Sequence, residues 1–275
     1  MGSYPGAAGG KSVTAWALYL ATGAFAGLLA GLLGVGGGLI IVPVLTFIFE
    51  AQHFPHEQVI HLALGTSLAS ILFTSLASVR AHHAHGAVDW STVKTIAPGI
   101  LVGTFVGSLV ASRLPTAFLK IFFVCFLFYA ATQMLLNFRP RPSRQLPGRG
   151  GMFAAGNIIG GVSAFVGIGG GSLSVPFMTW CNVSMHRAIA TSAAIGFPIA
   201  AAGALGYVTG GQGTTTLPWS LGYVYLPALA GLVAASVPMA PLGAKLAHRL
   251  PVAKLKKIFA LLLYILGIRM LASLL

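Results

Sequence analysis

The 275-residue chain is 56% hydrophobic and only 7% charged. That excludes a soluble globular domain, because a water-facing surface needs about 25% charged residues. Sixteen Lys and Arg against three Asp and Glu leave a net charge of +13, but most of the basic residues sit in loops between apolar runs, so positive-inside placement explains the excess and no nucleic-acid partner is expected.

Residues 1–12 are read as a tail. The first apolar segment, 13–33, lacks the charged start of a signal peptide and runs into Gly34-Val35-Gly36-Gly37-Gly38-Leu39-Ile40-Ile41-Val42-Pro43. Three consecutive glycines stop or bend a helix. In a bilayer, irregular backbone survives only where protein or water satisfies its polar groups. Gly36, Gly37 and Gly38 therefore predict a broken helix beside a cavity. Segment 39–49 is about 11 residues long, roughly 16 Å of helix, or half the hydrocarbon thickness. Segment 58–80 carries His61-Leu62-Ala63-Leu64-Gly65-Thr66-Ser67. Ser70, Thr74 and Ser75 extend its polar stripe at helical spacing, and Arg80 ends it, followed by His82, His83 and His85. Segments 92–112 and 115–138 complete the first half. Of the two cysteines, Cys125 falls here and Cys181 in the second half, both in apolar sequence. Neither a disulfide framework nor a Cys-type metal spacing is available.

Residues 139–151 hold prolines and arginines that cannot span a membrane and are read as a cytoplasmic linker. The second half then repeats the first. Gly167-Ile168-Gly169-Gly170-Gly171-Ser172-Leu173-Ser174-Val175-Pro176 shares the pattern G-x-G-G-G-x-x-x-V-P with Gly34–Pro43. His186-Arg187-Ala188-Ile189-Ala190-Thr191-Ser192 matches His61–Ser67, Trp219 and Pro227 match Trp90 and Pro98, and Arg249-Leu250-Pro251 matches Arg113-Leu114-Pro115. The ordered matches define two repeats, 13–138 and 152–275. The second is read as segments 152–168, 172–182, 186–209, 218–247 and 251–275.

The charge bias decides how the short segments behave. If every segment crosses, one side holds Arg80, Lys94, the linker arginines, Arg187 and the basic residues from Lys245 to Lys257, which is twelve of the sixteen. If the two short segments only re-enter, the split becomes eight against eight. The positive-inside rule favours the first arrangement, with both termini outside. The expected fold is an all-α integral membrane protein of about ten transmembrane segments, two of them short or broken, in two inverted five-segment repeats. The expected location is the inner (cytoplasmic) membrane.

Duplicated broken helices point to a transport site, and helix N-termini suit an anion. Gly36–Gly38 and Gly169–Gly171 would cradle it, with Ser172 at the second restart. Thr66, Ser67, Thr191 and Ser192 would donate hydrogen bonds, although such hydroxyls also bond to their own helix carbonyl four residues back. Ser70 and Asn157 are further candidates. Arg80 or His83 would balance charge. The three carboxylates, Glu50, Glu57 and Asp89, lie at span ends or in loops, so coupling through an intramembrane acid is not available. Transport is then uncoupled, or carried by histidine and backbone carbonyls, or driven by the substrate's own charge. The histidine spacings leave a divalent metal-ion transporter as the alternative. An enzyme would need a nucleophile–base–acid set that is missing. No cofactor is called for. The expected partners are a small anionic substrate and the lipid bilayer, with a homodimer left open.

The doubled G-x-G-G-G-x-x-x-V-P, each copy followed by A-x-x-T-S (Ala63–Ser67 and Ala188–Ser192), resembles the sulfite exporter TauE/SafE family, also called the toluene sulfonate uptake permeases. The resemblance covers nearly the whole chain. It implies transport of sulfite, organosulfonates or sulfoacetate-like anions across the cytoplasmic membrane. Ala190 stands where the first half has Gly65, so the two Thr-Ser sites are expected to be unequal.

Overall fold

A computed structural model of the chain describes residues 9–33, 37–84, 86–136, 143–215, 217–247 and 252–274. Among them are ten helices: α1 (Gly9–Leu33), α2 (Gly38–Ala51), α3 (Val59–Ala84), α4 (Trp90–Ala111), α5 (Thr116–Leu135), α6 (Arg149–Val166), α7 (Gly171–Trp180), α8 (Met185–Gly210), α9 (Leu226–Ala247) and α10 (Val252–Ala272). Six of these helices, α1, α3, α4, α5, α8 and α9, are long and apolar enough to cross a membrane. A two-strand hairpin, β1 (Ser220–Leu221) with β2 (Val224–Tyr225), precedes α9.

The distribution of polarity fits a lipid solvent. Val102, Val106, Ile121, Leu261 and Ile268 are at least half exposed, while Thr66, Ser67, Thr104, Ser163 and Thr191 are fully buried. Hydroxyls inside and aliphatic side chains outside is the arrangement that hydrocarbon imposes. The chain is an all-α membrane protein.

Close helix contacts run through small residues and fix helix directions. Gly23 lies on Leu232 and Gly27 on Ser236, so α1 and α9 run parallel. Gly99 lies on Phe153 and Gly103 on Asn157, so α4 and α6 run parallel, and Gly206 and Gly210 on Ser108 and Ser112 set α8 parallel to α4. Thr66 reaches Tyr225 and Thr74 reaches Ser236, which sets α3 parallel to α9. In contrast, Gly203 meets Leu68 and Gly196 meets Ser75, so α3 and α8 are antiparallel. Thr132 on Tyr264 and Leu127 on Gly267 make α5 and α10 antiparallel as well. Thus α1, α3 and α9 point one way and α4, α6 and α8 the other.

Three boundaries differ from the sequence reading. Residues 218–225 are not helical: Pro218 lacks an N–H, and Trp219 (φ 62°) and Gly222 (φ 53°) are left-handed, so the chain forms the hairpin and α9 starts only at Leu226. The linker ends early, at Gly148, the N-cap of α6. Its last part is pinned, because the Ser143 and Arg144 amides donate to the Trp180 carbonyl and the Arg144 guanidinium sits over the Trp180 ring. The third helix runs past Arg80, so His82 and His83 occupy its last turn rather than a loop.

Candidate functional site

Both glycine motifs break the chain as it enters a short helix. Gly37 (φ 75°) is the N-cap of α2 and Gly170 (φ 76°) the N-cap of α7. Both conformations are left-handed, where a Cβ is costly. Neither cap receives a side-chain hydrogen bond. The first N–H groups of a helix have no acceptor within it, so α2 and α7 begin with donors and the positive end of the dipole uncovered by a side chain. Both starts are set back into the bundle: Gly37 lies beside Ala26, and Gly170 beside Ser163 and Ile159. The two motifs touch, since Gly38 packs on the Gly167 carbonyl and Ile168. Gly36 lies outside the described residues.

The Thr-Ser pairs bind across this centre. Ser67 Oγ donates to the Gly167 carbonyl at 2.8 Å. Thr66 Oγ1 accepts the Tyr225 amide, just before α9, at 3.0 Å. Thr191 Oγ1 accepts the Asp89 amide, just before α4, at 3.0 Å. The two threonines thus make the same bond from opposite halves. The serines differ: Ser192 accepts from Ser174 Oγ at 2.9 Å. Gly65 explains part of the inequality. A Cβ there would overlap the Tyr223 carbonyl of the hairpin, a contact that its counterpart Ala190 cannot make.

A narrow pocket opens against the second motif. It is lined by Ala30, Ile71, Thr74, Ser75, Ser78, Gly169, Ser192, Ala193 and Gly196. Ser75 bonds back to Leu72 and Thr74 to Ser70 and Ser236. Ser78 Oγ is buried with no partner, as are Ser163 Oγ and Ser172 Oγ, which flank Gly170. Orphaned buried hydroxyls are rare in native interiors. Ser78 lines the pocket, while Ser163 and Ser172 lie beside the uncapped start of α7.

Of the sequence candidates, Gly169 and Ser192 reach the pocket wall, and Gly170, Gly171 and Ser172 form the helix start beside it. Ser67 and Ser70 lie deeper on α3, with Ser70 bonded to the Ser67 carbonyl. Arg80 and His83 are exposed near the end of α3, and His83 accepts the Trp90 indole N–H. Asn157 is half-buried between α6 and α4 and bonds back to Phe153. No charged side chain lines the pocket. Ser78 was missed, although it continues the Ser70–Thr74 stripe by one turn. Ser174, three residues beyond the triple glycine of the second motif, was missed as well. Among the described residues, no group of three or more His, Cys, Asp or Glu is placed to hold a metal ion.

Comparison with known proteins identifies the family to which this geometry belongs. The family model described as Sulfite exporter TauE/SafE matches residues 19–270. A probable membrane transporter protein of Haemophilus influenzae is 38% identical over 256 residues, covering 92% of this chain and 97% of the relative. Another, of Methanocaldococcus jannaschii, is 28% identical over 261 residues, covering 92% and 94%. No solved structure matches the chain.

Proposed function

The chain belongs to the sulfite exporter TauE/SafE family of membrane transporters, and from that premise we propose that it carries small sulfur-containing anions, such as sulfite or an organosulfonate, across the cytoplasmic membrane. The observation that carries the reading is the pocket at the uncapped start of α7. Its lining holds the hydroxyl residues Thr74, Ser75, Ser78 and Ser192 and no carboxylate, and α7 starts two residues after its Gly169 wall. An oxyanion takes its hydrogen bonds from such donors and is favoured by the helix dipole.

On this reading the helices form ten passes in two inverted repeats, 13–138 and 152–275, joined by a cytoplasmic linker. Helix directions support it. Because α1 and α3 are parallel, α2 must carry the chain back between them. Because α6 and α8 are parallel, α7 must do the same. If α2 and α7 merely re-entered, α3 and α8 would come out parallel, whereas they are antiparallel. The equivalent helices α1 and α6, α3 and α8, and α4 and α9 point in opposite directions, as inverted repeats require. The charge bias puts Arg80 and Arg187 inside.

The pocket then opens inward. Ser78 is half a turn from Arg80, and Ser192 lies on the α8 stretch that begins at Arg187. The outer end is filled by His61, Tyr207 and Tyr223 and by stacked Phe49 and Phe54 with Tyr225 edge-on to both. Transport would proceed by rocking of one repeat against the other. Counterflow of radiolabelled sulfite and taurine into proteoliposomes tests the reading. The double variant G37A/G170A should lose it, and unchanged counterflow would remove the broken helices from the site.

A further inference from the structure

The end of the bundle read as cytoplasmic holds a second, open cavity, separate from the narrow pocket. Its wall is built by Gln145 of the linker, Asn182 and Ser184 between α7 and α8, Arg187 in the first turn of α8, and Asp89 just before α4. The linker side is anchored. The Ser143 and Arg144 amides donate to the Trp180 carbonyl, the Trp180 indole donates to Ser143 Oγ at 2.8 Å, and the Arg144 guanidinium lies 5.0 Å from the centre of the Trp180 ring. Gln145 follows directly and enters the wall from this fixed segment.

Two opposite charges meet in the cavity, and they are not equally occupied. Both oxygens of Asp89 serve the start of α4: Oδ1 accepts the Ser91 and Thr92 amides and Oδ2 the Thr92 hydroxyl. Arg187 is exposed and makes no ion pair among the described residues. Its five N–H donors are open to a guest, with the Gln145 and Asn182 carboxamides on the same wall. Ser184 is the N-cap of α8 but makes no side-chain cap bond, so the first N–H groups of that helix, which have no acceptor within it, add to the donors. A guanidinium backed by neutral donors suits an oxyanion.

The cavity adjoins the pocket. The Asp89 amide donates to Thr191 Oγ1 at 3.0 Å, and the next residue, Ser192, lines the pocket. Arg187 precedes Thr191 by four residues, about 6 Å along the helix axis. The outer end has no equivalent: in the repeat, Arg187 falls on Leu62, which is fully buried, and Asp89 on Pro218. We propose that this cavity is the cytoplasmic capture site for the transported sulfur oxyanion, with Arg187 as its binding cation, and that the anion passes from it along α8 to Ser192. The proposal rests on the sulfur-anion reading of the pocket and adds a separate station to it.

Calorimetric titration of sulfite into the protein in nanodiscs of neutral lipid tests it. R187Q should weaken binding about tenfold, the loss of one hydrogen bond to a charged group. R187K keeps the charge and should recover most of that loss. Asn caps a helix as well as Asp, so D89N keeps the start of α4 while removing the repelling charge. It should tighten binding about threefold. Raising the salt about tenfold should narrow the gap between R187Q and wild type. Because Arg187 is exposed, R187Q should melt with the wild type, which keeps a folding defect apart from a binding one. Equal affinities of wild type and R187Q, or weaker binding by D89N, overturn the proposal while sulfite binding by the wild type leaves the pocket reading standing. A wild type that binds no sulfite overturns both.

Discussion

Ser67 donates its hydroxyl to the Gly167 carbonyl at 2.8 Å. A side chain of the N-terminal half thereby seals the helix break of the C-terminal half. Its sequence counterpart, Ser192, instead lines the pocket and accepts from Ser174, which also bonds to the Gly170 carbonyl. Matched serines thus have unequal jobs. Ser67→Ala should strand a buried carbonyl and destabilise the protein by about 1–3 kcal/mol. Ser192→Ala leaves Ser174 its second acceptor and should cost less. Thermal unfolding of both variants in one detergent tests the order, and equal losses would contradict it.

Gly38 carries the contact between the two motifs. A methyl there would overlap the Gly167 carbonyl, and backbone on both sides leaves little room to yield. Gly161 is the control: on α6 its added Cβ would meet only the Gly103 carbonyl at 3.8 Å, an ordinary contact. Gly38→Ala should abolish anion counterflow and lower stability. Gly161→Ala should retain both, with about 0.5–1 kcal/mol gained from helix propensity. A functional G38A protein would show that the motifs need not touch.

The helices were legible in the sequence because hydrocarbon forces long apolar runs, and the breaks because three glycines interrupt them twice. The hairpin at Ser220–Tyr225 was not. Pro218 and Gly222 fall within the stretch read as one apolar segment, 218–247, and the hairpin's role comes from packing on Gly65, far away in sequence. The same limit applies to the site. Thr66, Ser67, Thr191 and Ser192 were found as a repeated pair, but which of them seals and which lines is set by tertiary contacts, Ser67 on Gly167 and Ser192 on Ser174, that a near-symmetric sequence does not encode. Arg80 and His83 drew attention by charge, yet α3 continues past them and turns them outward. Ser78 looked like one more serine, and only its unpartnered oxygen singles it out.

That oxygen gives a separable prediction. Because Ser78 Oγ has no hydrogen bond to lose, Ser78→Ala should leave the stability unchanged within about 0.5 kcal/mol, as for substitutions that break nothing. If Ser78 donates to the substrate, sulfite binding should weaken about tenfold, the loss of one hydrogen bond to a charged group. Calorimetric titration with sulfite and a melting curve read the two effects separately. Unchanged affinity would remove Ser78 from the site.

Asp89 supplies a pH dependence outside the spans. Its carboxylate caps α4, accepting from the Ser91 and Thr92 amides and the Thr92 hydroxyl. Burial pushes its carboxyl up, but those hydrogen bonds and the nearby Arg187 charge outweigh burial and hold it below the usual carboxylate range. A lowered value means that the cap contributes its full stability above the ordinary range and loses it as pH falls through the lowered one. Asp89→Ala should cost about 1 kcal/mol at pH 7 and flatten the acid limb of the stability profile. It leaves the Asp89 amide free to keep its bond to Thr191, so Thr191→Val should add its own loss. A wild-type acid limb surviving in D89A would contradict this account of the cap.

The buried ion pair gives the largest expected effect on stability. Lys120 is fully buried in α5, and its ammonium donates to Glu50 Oε1 at 2.6 Å, at the end of α2. Glu50 remains about one quarter exposed, so the lysine is the partner that cannot recover water if the pair breaks. Glu50→Gln should therefore strand a buried cation and destabilise by about 3–5 kcal/mol. Glu50→Gln with Lys120→Met removes the stranded charge along with the pair, and replacing a buried pair by apolar volume is often nearly neutral. The double variant should thus be more stable than E50Q alone, an order that a simple sum of two lost contacts would reverse. Denaturation of the wild type, E50Q, K120M and the double variant closes the cycle. If E50Q proved as stable as the double variant, the lysine would have found water or another acceptor, and α5 would not depend on Glu50 to dock against α2.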